Sequence, residues 1–211
     1  MENVAQKNCQ IFLCKPARYA ITTSDTMSRK EQILHTLAQM LAGSPCERVT
    51  TARLAVKVGV SEAALYRHFP SKAKMFEGLI ALIEETLFTQ STKILSEEHE
   101  ASVICQRILT TLILFCEQNP GLARILTGDA LNGETERLHT RVFQLLEKLE
   151  NQIQSVIQTH QPPSVPPAVA ANMLLALAGG RINQFVRSQF RRKPSQHWQE
   201  QWQAISRTVF C

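Results

Sequence analysis

Residues 50–74 read TTARLAVKVGVSEAALYRHFPSKAK, and this stretch decides the fold. Leu54, Ala55 and Val58 recur at helical spacing, Gly59-Val60-Ser61 breaks the run, and Leu65 and Phe69 resume it. The pattern is a short helix, a three-residue turn, a second short helix and the first turn of a third. Ala55 is small, so the second helix can cross closely over the first. Gly59 comes four residues later, where the turn needs a positive φ that other residues adopt only at a cost. Ser61 can cap the second helix by accepting from its free backbone N–H groups. Leu65 fills the corner between the two helices. The unit predicted is a helix-turn-helix that reads DNA.

Working outward, the face opposite Leu65 and Phe69 presents Ser61, Glu62, Ala63, Tyr66, Arg67 and His68. Tyr66 and His68 suit phosphate oxygens. Ser71 is a predicted N-cap and Lys72 opens the next helix, which brings a cation and free N–H groups to one place. Taken singly, Tyr66 reads as a half-buried aromatic and His68 as a surface imidazole. The order glycine, cap, Tyr, His, Lys is what carries the DNA reading. Thr50 or Thr51 caps the first helix of the pair, and either hydroxyl could reach DNA.

The string Leu65-Tyr66-Arg67-His68-Phe69-Pro70-Ser71-Lys72 after a helix-turn-helix resembles the TetR family of bacterial regulators. Three later stretches resemble its nucleoid occlusion branch: Asn119 to Gly128, Phe185 to Phe190, and Pro194 followed by Trp198 and Trp202. The resemblance covers roughly residues 29–205. It implies an all-α, TetR-like fold, with an N-terminal three-helix DNA-binding domain at 28–74 and a helical dimerisation and regulatory domain at 75–211. It also implies a homodimer on palindromic double-stranded DNA that engages the tubulin-like division protein FtsZ and antagonises Z-ring assembly over the nucleoid. The DNA contacts carried over are Thr50, Thr51, Ser61, Ala63, Tyr66, Arg67, His68 and Lys72. The FtsZ-facing positions are Leu82, Gln90, Leu95, Gln118 and Asn119, of which Gln90 and Gln118 depart from expected arginines. The other functional class is an ordinary TetR repressor released from DNA by a small molecule. Few convergent polar groups on apolar helix faces are available to line its pocket.

Composition agrees with a helical DNA binder. The 211 residues carry 44% hydrophobic residues, only 8 Gly and a net charge of +5. Between Ser28 and Glu77 stand Arg29, Lys30, Arg48, Arg53, Lys57, Arg67, Lys72 and Lys74 against Glu31, Glu47, Glu62 and Glu77. Eight cations less four anions leaves +4 of the total in a quarter of the chain, an electrostatic footprint for DNA. Cys9, Cys14, Cys46, Cys105, Cys116 and Cys211 form no CxxC pair and no zinc-spaced cluster with His. Cys105, Leu109, Leu112 and Cys116 share one helical stripe, where thiols act as small core hydrophobes. No cofactor or metal is expected, nor an enzyme: Ser71-Lys72-Ala73-Lys74 has Ser-x-x-Lys spacing but no partner motif, and no two His stand at i, i+4. Without a run of 18 apolar residues, the expected place is cytoplasmic and nucleoid-associated.

Residues 1–27 show no periodicity and read as a disordered or untranslated extension, with Met27 a natural start. Ser28 and Glu31 then frame a capping box for a helix carrying Ile33, Leu34, Leu37, Ala38 and Leu41. Arg29 and Lys30 either touch the DNA backbone or form a solvated helix start. A long helix from Ser71 buries Phe76, Leu79, Ile80, Ile83, Leu87 and Ile94, with Leu82 and Leu95 off that stripe. Val103 to Cys116, Leu138 to Ile157, Ala168 to Phe190 and a last segment with Trp198 and Trp202 read as further helices. Gln161 to Pro167 is a stiff connector. The small residues around Gly179-Gly180 and the two Trp fit either a dimer interface or packing within one chain.

Overall fold

The computed structural model describes residues 27–43, 49–160 and 165–210, which form helices and no strand. In chain order these are α1 (Arg29–Leu41), α2 (Thr51–Val58), α3 (Glu62–His68), α4 (Lys72–Glu97), α5 (Ala101–Gln118), α6 (Pro120–Leu126), a 3₁₀ turn (Asp129–Leu131), α7 (Glu136–His160), α8 (Pro167–Arg187) and α9 (Trp198–Phe210). The expected N-terminal extension falls outside the described residues, apart from Met27, and so does most of the proline-rich connector.

Each helix of the head starts on a side-chain cap. Ser28 and Glu31 form the reciprocal box of α1. Thr50 accepts from the Arg53 amide, Ser61 from Ala64 and Ser71 from Lys74. Each cap satisfies one of the orphan N–H groups of a helix start and contributes about 1 kcal/mol. Gly59 closes α2 at φ 77°, with its N–H returned to Ala55 and Val56. The turn therefore has the left-handed residue that its sequence demands.

The head's own core is small: Ile33, Leu37, Leu41, Leu54, Ala55, Leu65 and Phe69. It is completed by Met75, Phe76 and Leu79 at the start of α4, which runs on into the body. Each such Leu, Ile or Phe contributes roughly 1.5–3 kcal/mol by leaving water. The body is richer. Helix α5 buries Ile104, Cys105, Ile108, Leu109, Leu112, Ile113, Phe115 and Cys116, and α7 and α8 pack lengthwise against it and each other. Burial pushes the Cys105 thiol up to about 12 and Cys116 higher still, as expected of core thiols.

Trp198 and Trp202 go to the core of their own chain, and the Trp198 indole N–H donates to Thr110 Oγ1 at 2.8 Å. Gly179 and Gly180 are exposed instead, and a Cβ at either would meet no neighbouring element within 4 Å. Of the two features that sequence alone offered equally to a dimer or a core, the Trp pair is core and the glycine pair is exposed.

Head and body meet where α6 crosses α1. A Cβ on Gly121 would lie 2.0 Å from the Ala38 carbonyl oxygen, so only glycine permits this approach. Beside it the Arg124 guanidinium is buried, donating through Nη1 to the Leu41 carbonyl at 2.9 Å and through Nε to Asp129 at 2.5 Å. A buried charge is tolerated only when so partnered. Arg124 thereby supplies a donor to a carbonyl in the last turn of α1 that the helix itself leaves unfilled.

Candidate nucleic-acid interface

Helix α3 buries Leu65 completely and leaves Ser61, Glu62, Ala63, Tyr66 and Arg67 exposed, with His68 half-buried. Thr50 is exposed and Thr51 half-buried at the start of α2. The Tyr66 hydroxyl donates to Thr51 Oγ1 at 3.4 Å, a long bond that brings the two helix faces together. Ser61 and Ser71 use their oxygens as cap acceptors, which leaves each hydroxyl proton free to donate. The predicted contact residues thus share one rim of N-termini, hydroxyls and cations.

Lys72 holds a surprise. It opens α4 as expected, but its ammonium bonds Glu134 at 2.6 Å and lies 5.6 Å over the Phe76 ring. Glu134 comes from the turn ahead of α7, 62 residues along the chain. No sequence pattern announces a contact of that range.

Behind the rim, α4 and α5 run antiparallel. Arg107 joins them through Glu98 at 2.6 Å and Glu97 at 2.9 Å. Helical periodicity puts Thr111, Leu114 and Gln118 on the same flank of α5 as Arg107, and Leu82, Thr86 and Gln90 on the flank of α4 that carries Glu97. Asn119, at the end of α5, donates through Nδ2 to the Phe115 carbonyl at 2.9 Å. Leu114 is 39% exposed there and was missed from the sequence, where it is one leucine among many in an apolar helix. Leu95 lies on a different flank. It packs against the core on the other flank of α4, the one where Glu84 and Ser91 meet α7.

A ladder of ions fixes that other flank. Glu84 accepts from Lys148 at 2.5 Å and from Arg141 at 2.7 Å, while Glu77 meets Lys74 at 2.7 Å and Arg137 at 3.4 Å. The Lys148 hydrogen bond, aided by Arg141, holds the Glu84 carboxyl below the usual range against the opposing effect of burial. Glu77 is lowered in the same way, first by Lys74. Among the described residues no group of His, Cys, Asp or Glu could hold a metal, and no helix is long and apolar enough to cross a membrane.

Comparison with known proteins agrees with this geometry. The sequence profile of bacterial regulatory proteins of the tetR family matches residues 33–79. The profile of the SlmA-like, tetracycline-repressor-like C-terminal domain matches residues 99–209. The nucleoid occlusion factor SlmA of Shewanella denitrificans is 50% identical over 194 residues, spanning 90% of this chain and 98% of its own. The chain belongs to the SlmA family. Its SlmA relative in Alteromonas mediterranea is 53% identical over 183 residues, covering 84% of this chain and 94% of that one. The fold recurs more widely. MbdR from Azoarcus superposes with a TM-score of 0.72 at 13% identity, over 87% of this chain and 100% of that one. FadR from Bacillus subtilis, solved with stearoyl-CoA, gives 0.68 at 13% identity, over 85% and 98%. The chain thus joins a tetR-family N-terminal domain, which holds α3, to a SlmA-like C-terminal domain.

Proposed function

We propose that this chain acts as a nucleoid occlusion factor: a homodimer that binds palindromic chromosomal sites and, when bound, restrains FtsZ assembly. The observation that carries the reading is that one helix, α4, begins with Lys72 beside the recognition helix α3 and carries the partly exposed Leu82 and Gln90 on one flank. Two α3 helices enter successive major grooves about one helical turn apart. Tyr66, His68 and Lys72 hold phosphates and set register, while Thr50, Thr51, Ser61, Ala63 and Arg67 reach base edges or nearby backbone.

Dimerisation uses the outward stripe of α8. Val169, Asn172, Ala176, Gly180, Asn183 and Arg187 recur there at helical spacing, and Phe143 of α7, 64% exposed, stands on the neighbouring helix. Small residues let a partner helix come close. FtsZ is received along the flanks of α4 and α5 by Leu82, Gln90, Gln118 and Asn119, with Leu114 as an exposed apolar contact and Leu95 supporting α4 from the core side.

The test is sedimentation of FtsZ polymer with GTP, with and without a palindromic duplex selected by the protein from random sequence. Loss of polymer only when protein and cognate duplex are both present supports the reading. Normal DNA binding with no effect on FtsZ makes the chain a repressor and directs the search to a ligand.

A further inference from the structure

We propose that Glu134 is a positioning residue for DNA binding: in the free protein its carboxylate takes the place of a backbone phosphate at Lys72, and DNA must displace it. The inference rests on the reading of Lys72 as a phosphate contact. Three observations carry it further.

The first is geometric. The ammonium is held between the Glu134 carboxylate at 2.6 Å and the face of the buried Phe76 ring, so its position is set before DNA arrives. The Glu134 amide donates to the Leu131 carbonyl at 2.9 Å, and Leu131 is fully buried, which anchors the turn that presents the carboxylate.

The second is polarity. In the other bridges that join α4 to α7 along this flank, Glu77 and Glu84 on α4 face Arg137, Arg141 and Lys148 on α7. At the head-proximal end the sign inverts, with the cation on α4 and the anion before α7. Lys72 is also the first residue of its helix, where the positive end of the macrodipole disfavours a cation. A nearby anion offsets that cost, and two can serve: a DNA phosphate or Glu134.

The third is exchangeability. The Lys72 side chain is 37% exposed and that of Glu134 16%, so the pair sits at the surface where a phosphate can reach it. A pair of this exposure is weak enough to be broken by a strong competitor. When the phosphate takes the ammonium, Glu134 is left beside an anionic duplex and opposes binding.

Removing the carboxylate charge therefore tightens DNA. Glu134→Gln is expected to raise affinity for cognate and random duplex alike by about three- to tenfold at low salt, and to steepen the plot of log affinity against log salt by up to about 0.9. Glu134→Ala must act in the same direction, and Glu134→Asp, which keeps the charge, must stay near the parent. A merely structural role would not steepen the salt slope. Lys72→Ala weakens binding to all sequences, flattens that slope, and reduces the Glu134→Gln gain to less than about twofold. If Glu134→Gln and Glu134→Ala weaken binding or leave it unchanged while Lys72→Ala still flattens the slope, the competition is overturned and the phosphate contact stands. If Lys72→Ala changes neither affinity nor slope, the phosphate contact falls and the competition falls with it.

Discussion

Two glycines hold this molecule together by opposite means. Gly59 closes the α2–α3 turn at φ 77°, with open space around it, and is required for its backbone. Gly121 sits in an ordinary helix and is required for its missing side chain, since a Cβ would be 2.0 Å from the Ala38 carbonyl. The first is a rule of local conformation that a few neighbours impose. The second is a rule of tertiary approach, imposed by a helix more than 80 residues away in sequence. The reading head is shaped by the first kind of rule, and its seam with the body by the second.

The largest effect expected is at the seam. Gly121→Val places a branched side chain where not even Cβ fits, so α6 must leave α1. A loss of about 3 kcal/mol or more in chemical unfolding is expected, at or above the upper end for overpacking. Stability within 1 kcal/mol of the parent (about the uncertainty of such a measurement) would sink the close-approach account. Next is Arg124→Ala, which strips a buried partner from the Leu41 carbonyl and from Asp129. It is expected to cost about 1–3 kcal/mol, read as a lower denaturant midpoint.

Gly59 responds to conformation rather than volume. Gly59→Val is expected to cost roughly 1–2 kcal/mol by forcing a β-branched residue into the left-handed region. Gly59→Asn is expected to lie much closer to the parent, because Asn tolerates that region. Were Asn and Val equally harmful at position 59, the backbone explanation would fail, and the two glycines would not differ in kind.

The smallest effect concerns pH. A carboxylate held below its ordinary value contributes stability above that value and loses it as pH falls through the lowered one. Glu84 is such a group, so the parent is expected to lose more thermal stability than Glu84→Gln between about pH 5 and pH 3. Parallel curves for the two proteins would remove Glu84 from the acid response.

The same contrast explains what the sequence could tell. Ser28, Thr50, Gly59, Ser61 and Ser71 act on backbone groups within a few residues, and all were legible as caps or turn. Helical periodicity likewise exposed the buried faces of α4, α5 and α7. Leu95, placed by resemblance on a partner surface, is partly buried against the core, a contact that its single-helix pattern does not display. The Lys72–Glu134 bridge and the Arg124 donor to Leu41 have no sequence signature, because each joins residues brought near by the whole fold. Trp198 and Trp202 could have faced a partner or the core until Thr110 met the Trp198 indole.

The Arg124 contact also has a consequence in time. Leu41 and Arg124 are 83 residues apart, and the ribosome delivers them in that order. At about 5–20 residues per second, the end of α1 waits roughly 4–17 s for its donor, plus the passage through the exit tunnel. A nascent chain stalled before Arg124 is expected to be cleaved by protease within α1–α3, and one stalled well beyond it to resist. Equal resistance of the two would show that the head matures alone. Otherwise the DNA-reading unit becomes firm only once the first part of its regulatory body has been made, so that a half-synthesised chain leaves the chromosome unread.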